Sequence, residues 1–396
     1  MFAMARTLRS LIRRRQAVTD EELGDRLYAQ ASEAFETGRH ADAEALASRA
    51  RKLRPESWQL ALLHGLALFE LGRWEESSDA SETALALGAD YPYRVMAELN
   101  RALALARIDI DLAGGGPAPR LELGPAPPSF SVIVCSISAD KFARVSENYR
   151  RLLSGVSHEI IGIHDARSLC EGYNRGVRQS RGDILVFSHD DIEIVSPDFA
   201  ARLAHTLAMS DLVGVAGTTK LSAGKWVNSG WPHTHGQVCH RDPGGTLKHT
   251  LYGPGFGSVG GIQAMDGLLF AGWRKTFEDV GFDEEAFDGW HFYDLDFTFR
   301  AWLAGLRLRI SYELMVVHDS EGSYDASWNR YEQRFLKKHE GRFTPLPPPD
   351  DARFAIGPVA RLRSAQEWLL VSHHLFSRRE REAAAGPGAA EPPRDR

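Results

Sequence analysis

The sequence predicts an all-helical N-terminal region followed by an α/β domain built on a doubly wound, largely parallel sheet. Three observations carry this. Residues up to about 110 are rich in Ala, Leu and Glu and nearly free of Pro, a helix-forming composition. Gly and Pro then crowd into residues 113–129, AGGGPAPRLELGPAPPS, which read as a linker. Beyond it, short continuous apolar runs alternate with helical stretches, the pattern of buried strands separated by helices. The composition, 43% hydrophobic and 25% charged, is that of a globular protein and excludes a collagen-like, disordered or disulfide-stapled chain. A net charge of −6 argues against nucleic-acid binding through bulk charge. Cys135, Cys170 and Cys239 lie far apart with no C-x-x-C pair, which suits buried thiols in a reducing compartment.

The elements follow in order. Residues 1–24 open with MFAMARTLRSLIRRRQA, a basic stretch without the apolar core of a signal peptide. The expectation is a cytoplasmic chain whose first helix could meet acidic lipid at the inner face of the membrane. Within residues 25–112, Gly38-Arg39-His40 recurs as Gly72-Arg73-Trp74, and Ala50 as Ala84, both at an offset of 34 residues. A 34-residue period of helix, turn and helix is similar to tetratricopeptide repeats, with small residues where paired helices approach closely. A further helix near Tyr93–Arg107 would cap the open apolar face. This region would either present a concave surface to a protein partner or act as a packing element.

After the linker, residues 130–345 form the predicted α/β domain. SFSVIVCSIS, HEIIGIHD, GDILVFSHDD and DLVGVAG read as four buried strands, with helices over Lys141–Leu153 and Leu169–Gln179 between them. Residues 222–261 lose clear periodicity and are read as a functional or mobile stretch. IQAMDGLLFAG, a helix near Leu295–Ala304, and the strands LRLRI and YELMVVHD complete the domain. Residues 346–383 hold a Pro-rich connection and a helix near Val359–Arg381, which packs on the domain or lies on a membrane surface. Residues 384–396 read as a disordered tail.

In doubly wound sheets ligands bind beyond the carboxyl ends of the strands. Eleven of the fifteen histidines fall between His158 and His339, several beside Asp at strand ends. Ionisable groups there are costly unless solvated, paired or bound to metal. A cation explains His189, Asp191 and His318 economically; carboxylate with imidazole suits Mn²⁺ or Mg²⁺. Asp190 reads as a turn-capping residue or as part of a nucleotide site.

These residues also carry a resemblance. SVIVCSIS, IIGIHDARSLCEGYNRG, RGDILVFSHDDIEI, VGVAGT, MDGLLFAG, FDGWHFYDLDFTFRAWLAG and VVHD run in the order seen in family-2-type glycosyltransferases of the GT-A fold. The stretch over 130–340 resembles most closely a bacterial subgroup named after a streptomycin-biosynthesis protein. The resemblance implies transfer of a sugar from a nucleotide donor to an acceptor hydroxyl, with inversion and with a divalent cation. Where that family has Asp-x-Asp, this chain has His189-Asp190-Asp191. Ser136, Ile137 and Ser138 would pass under the base and ribose, and Asp165 would accept from a base N–H, favouring a UDP- or dTDP-linked donor. Asn174 and Gly176 match the family's Asn-x-Gly on the nucleotide side. Asp294, opening a late helix, takes the catalytic-base position, with Tyr293 where the family has Glu. Its place at a helix N-terminus should favour the ionised carboxylate, and Asp296 should cap or orient. Asp266, Gly267, Trp290 and His291 would face the acceptor, which the sequence leaves open among a glycan, a lipid-linked intermediate, a protein side chain and a small molecule. The competing class is a catalytically inactive transferase-like scaffold, supported by the departures at His189 and Tyr293.

Three other patterns are weaker. Gly255-Phe-Gly257-Ser-Val-Gly260 fits G-x-G-x-x-G, but a strand-like run follows it instead of a helix. His233, His235, Cys239 and His240 have irregular spacing for zinc. His-Asp phosphohydrolases are helical, whereas these His-Asp pairs end strands.

Overall fold

A computed structural model of the chain describes residues 19–90, 93–112, 121–253, 255–320, 326–343 and 359–385. The basic N-terminus, the Gly-rich half of the linker, the Pro-rich stretch at 345–351 and nearly all of the tail lie outside them. The chain divides into two compact units, Met1–Gly115 and Gly116–Arg396.

The first unit is helical: α1 (Asp20–Glu36), α2 (His40–Leu53), α3 (Trp58–Glu70), α4 (Trp74–Ala86) and α5 (Tyr93–Asp111). Thr19 and Glu22 form a capping box that starts α1, and the Ser57 hydroxyl caps α3. The 34-residue repeat is visible in backbone detail. Gly38 and Gly72 both turn the chain with left-handed φ values of 75° and 73°. The following residues donate to equivalent carbonyls, Arg39 to Ala34 and Arg73 to Leu68. Phe35 meets His40 and Phe69 meets Trp74 at centroid distances of 5.3 and 5.0 Å. Ala43 and Ala47, fully buried in the first hairpin, become Ser77 and Ser81 in the second. Those buried hydroxyls find a partner in α5, where the Asn100 amide donates to both, at 3.1 and 2.9 Å. The capping helix therefore satisfies polar groups as well as covering apolar ones.

The second unit contains, in order, β1 (Phe130–Cys135), α6 (Ala139–Leu152), β2 (His158–Ile163), α7 (Leu169–Gln179), β3 (Ile184–Ser188), β4 (Ile192–Ile194), α8 (Phe199–Leu207), β5 (Leu212–Gly214), β6 (Ala216–Thr218), a short 3₁₀ turn (Trp226–Ser229), β7 (Thr234–Arg241), β8 (Leu247–Leu251), β9 (Ser258–Gly260), β10 (Ala264–Met265), β11 (Leu269–Trp273), α9 (Arg274–Val280), α10 (Tyr293–Leu303), β12 (Leu308–Ser311), β13 (Val316–His318), α11 (Ala326–Lys338), β14 (Val359–Leu362) and α12 (Ala365–Ala385). One sheet runs β2-β1-β3-β11-β5-β12-β9; a second runs β10-β6-β7-β13-β4, with β8 between β7 and β14. Strands β1, β2 and β3 are parallel, while β11 is antiparallel to both β3 and β5. The architecture is thus an N-terminal helical region followed by a GT-A-like domain with a mixed central sheet.

Three expectations need correction. DLVGVAG is not one strand: the chain passes from β5 in the first sheet to β6 in the second at Val215. Residues 222–261 are not an irregular stretch but carry β7, β8 and β9. Val359 does not start a helix: β14 pairs with β8, Val359 opposite Thr250, before α12 begins. That last helix packs on the domain, with Trp368 fully buried against His249 at 5.5 Å. Among the described residues no helix is long and apolar enough to cross a membrane.

Helix α7 lies close against β1, and Gly176 is where they touch. A Cβ there would sit 2.3 Å from Cγ2 of Ile133, a branched and fully buried side chain. Gly176→Ala therefore sets an overpacking cost of about 1–3 kcal/mol against a helix-propensity gain of about 1 kcal/mol. We expect net destabilisation, read as a lower denaturant midpoint; an unchanged or higher midpoint would show that the contact yields.

Candidate active site

Parallel strands β1, β2 and β3 end at one edge, which delivers Ser136, Asp165 and His189-Asp190-Asp191 to the same side. The remaining member arrives through register. Strand β13 pairs antiparallel with β4, His318 opposite Ile192, and the Asp319 amide donates to the Asp191 carbonyl at 3.0 Å. The result is a cluster of His189, Asp191 and His318 whose ligand atoms all lie within 4.8 Å of one another. His318 Nε2 stands 3.3 Å, and His189 Nδ1 4.0 Å, from Asp191 Oδ1. Two imidazoles and a carboxylate converging this closely could hold a divalent cation, and the donor set suits a transition metal. Burial alone would raise the Asp191 pKa, but the hydrogen bond and charge of His318, with His189 and Lys141, hold the carboxyl well below its usual range. Burial, with the neighbouring His318, pulls the His189 pKa down, which favours the neutral, ligating imidazole.

Lys141 is a member that sequence reasoning missed. Its Nζ lies 3.2 Å from Asp191 and 3.7 Å from Asp190, reaching across from the first turn of α6. Only its place at the start of the helix that follows β1 marks it in the sequence. Asp190 accepts from the Ser136 hydroxyl at 2.6 Å, so it braces the end of β1. Ser138 caps α6 through the Lys141 amide at 3.3 Å. Between these serines Ile137 is 89% exposed, an apolar surface at the strand edge. Asp165 is also exposed and pairs with Arg175 at 2.9 Å.

Asn174 and Gly176 are drawn into structure instead. The Asn174 amide donates to the Phe282 carbonyl and to Glu284, and its oxygen accepts from the Phe282 amide. Gly176 faces Ile133, as above. Neither presents a free polar group to a ligand.

The other half of the site is the start of α10. Asp294 Oδ2 accepts from the Gly267 amide at 2.7 Å. Its pKa is pushed up to about 7 by burial first and by the nearby Asp266 charge second. This corrects the expectation of a carboxylate kept ionised by the helix terminus: desolvation outweighs the dipole here. Asp266 itself is engaged on both oxygens, by the Trp226 indole at 3.0 Å and the Leu268 amide at 3.0 Å. Trp226 comes from the stretch read as functional or mobile for its lack of periodicity. A side chain at Gly267 would collide with the Tyr293 hydroxyl, 2.1 Å from an ideal Cβ. Tyr293 donates to the Gly267 carbonyl at 3.1 Å and meets His189 Nε2 at 3.0 Å, so Gly267 joins the two halves. Asp296 is neither cap nor orienter. It is buried between Arg300, Lys338 and His339 at 2.7–2.8 Å, tying α10 to α11.

Just before α10, Phe292 has φ 65°, the non-glycine left-handed residue among the described ones. Its ring is held between Trp328 and Phe335 at 5.1 and 5.3 Å, and that burial sustains the strained backbone. No sequence signal announces it. Next to it Trp290 is half exposed, and His291 lies 6.4 Å from the Tyr331 ring.

A mixed sheet thus carries a His/Asp cluster at its carboxyl edge with the buried Asp294 carboxyl beside it. The chain belongs to the glycosyltransferase-like family, whose profile matches residues 131–339. Among solved structures it is similar to GalNAc-T7 with UDP, GalNAc and Mn²⁺, at 13% identity and TM-score 0.35, over 54% of this chain and 48% of that one. It is also similar to the mannosyltransferase PcManGT from Pyrobaculum calidifontis in complex with GDP-Man and Mn²⁺, at 14% identity and TM-score 0.36, over 74% of this chain and 86% of that one. The chain thus spans about half the length of the first and most of the second. No curated protein matches it.

Proposed function

We propose that this chain is a metal-dependent, inverting glycosyltransferase that moves a sugar from a nucleotide-diphosphate donor to an acceptor hydroxyl. One observation carries the reading: a buried carboxyl, Asp294, joined through Gly267 and Tyr293 to the cluster of His189, Asp191 and His318. In this reading the acceptor hydroxyl gives its proton to Asp294 as its oxygen bonds to the anomeric carbon. The bond from that carbon to the diphosphate breaks on the opposite face, which inverts the centre. When bound, the cation supplies a Lewis acid for the leaving diphosphate. His189, Asp191 and His318 would hold it, and the imidazole content favours Mn²⁺ over Mg²⁺.

Exposed Ile137 supports a role as the floor beneath a base, with Ser136 and Ser138 shaping the strand end and Asp165 accepting from the base edge. That edge suits a UDP- or dTDP-linked donor. Half-exposed Trp290 supports stacking on an acceptor sugar, with His291 beside it. The helical region, with its 34-residue backbone repeat, reads as tetratricopeptide-like and suits a protein partner. The streptomycin-type subgroup remains our assignment within the family.

Calorimetric titration with UDP, dTDP and GDP, each with and without Mn²⁺, tests this. We expect one nucleotide to bind at least tenfold more tightly with the metal, about 1.4 kcal/mol. No binding to any of the three would overturn the reading and leave a transferase-like scaffold whose function lies in the helical repeats.

A further inference from the structure

The cluster of His189, Asp191 and His318 requires an imidazole nitrogen of His189 with a free lone pair. Which nitrogen carries the proton is decided by hydrogen bonding, not by the histidine alone. The Tyr293 hydroxyl has one proton; the Gly267 carbonyl at 3.1 Å and His189 Nε2 at 3.0 Å stand within its reach, as does the Tyr173 hydroxyl, whose own proton has the Ser188 carbonyl as acceptor. A carbonyl can only accept. If the hydroxyl proton went to His189, two oxygens would face each other at 3.1 Å with no proton between them in a buried place. Gly267 is held there by its own amide on Asp294 and by the lack of space for a side chain, so the carbonyl cannot swing away. The hydroxyl proton therefore belongs to Gly267, and His189 must donate Nε2–H to the tyrosine oxygen. Nδ1 is then the bare nitrogen, and it is the one facing Asp191, at 4.0 Å.

We propose that Tyr293 is a positioning residue that locks His189 in the Nε2–H tautomer, so that His189 serves as a metal ligand through Nδ1. It rests on the reading of His189, Asp191 and His318 as a cation site. The lock also fixes the ring orientation, because the hydroxyl is carried on a tyrosine that is 4% exposed and whose ring packs on Tyr173 at 5.5 Å. Partners of this kind, one bond removed from a metal, change affinity about 10–100-fold when removed. The arrangement makes the histidine and the tyrosine one functional pair: neither serves the site alone.

Two measurements test this on the full chain. Long-range ¹H–¹⁵N spectra of the metal-free protein, assigned with His189→Asn, report the tautomer directly. We expect the Nε2–H pattern for His189; the Nδ1–H pattern would overturn the proposal. Mn²⁺ titration followed by electron paramagnetic resonance, without nucleotide, then compares the wild type with Tyr293→Phe. We expect affinity to fall at least tenfold in the variant and its His189 signals to show mixed tautomers. Equal Mn²⁺ affinity with an unchanged tautomer would reduce Tyr293 to a packing residue, an outcome a lower melting temperature alone cannot imitate. Failure of the wild type to bind Mn²⁺ at all would overturn the cation site itself, whereas Mn²⁺ binding unaffected by Tyr293→Phe would overturn the lock and leave the proposed reaction standing.

Discussion

Asp294→Asn is expected to cut the transfer rate about a thousandfold while leaving metal-dependent nucleotide binding within about twofold of wild type, the scale of a lost general base. Asn keeps the size of the side chain and can still accept from the Gly267 amide, so the joint between the two halves of the site survives. What it loses is the ability to take a proton. The pH profile adds a second readout. With the Asp294 pKa raised to about 7, kcat/KM should fall tenfold per unit as pH drops below 7 and level off above it. The stability change has the opposite sense. A carboxyl whose folded pKa lies above its unfolded value of about 3.9 favours the fold while protonated, and that contribution is lost as pH rises through 7. The Asn variant should therefore match the wild type near pH 4 and become the more stable protein by pH 8. Turnover unchanged in the variant would remove Asp294 from the role of base.

Asp191→Ala should weaken Mn²⁺-dependent nucleotide binding by more than tenfold and bring transfer down with it. It removes the carboxylate of the cluster and leaves two imidazoles 5.5 Å apart between ring centroids, without a charged ligand for the cation. It also leaves Lys141 with Asp190 alone, at 3.7 Å, so that its Nζ places a positive charge near the vacated position. Both effects have the same sign. Because His318, His189 and Lys141 hold the Asp191 carboxyl far below its usual range, it stays ionised throughout ordinary working pH. Loss of metal binding on mild acidification thus has to come from other groups. Calorimetry with and without metal checks this; equal affinity in the variant would take Asp191 off the ligand set.

The parts of this protein legible in its sequence are those where one rule acts alone. Strands β1 and β3 are fully buried apart from the last residue of β1, so unbroken apolar runs reveal them and the residues that follow them. The 34-residue offset is legible because two identical turns need glycine at the same place. Strand β7, THGQVCHR, was hidden because its buried positions carry polar side chains that satisfy one another. Gln237 accepts from Trp368 and bonds with His249 and the Tyr312 carbonyl, so no apolar alternation is needed. The short strand β14 depends wholly on pairing with β8, which no local pattern announces. Within the site, strand ends were readable, whereas the Gly267 joint, the Lys141 reach and the left-handed Phe292 arise from contacts between segments far apart in sequence. Asn174, Gly176 and Asp296 teach the complementary lesson: a polar or small residue in a motif can be fully spent on packing.

The pairing of β14 with β8, sealed by Trp368 over His249 and Gln237, also bears on the order of events during biosynthesis. The helical hairpins of the first unit make contacts between neighbours in sequence and can form as they leave the ribosome. The second sheet cannot: β8 must wait, one edge unpaired, until Val359–Leu362 has been translated. Until then the strand edge and the surface that Trp368 covers are open to solvent. Nascent chains paused in that interval would expose sticky surface and draw chaperones, while the helical region beside them on the same polypeptide is already folded.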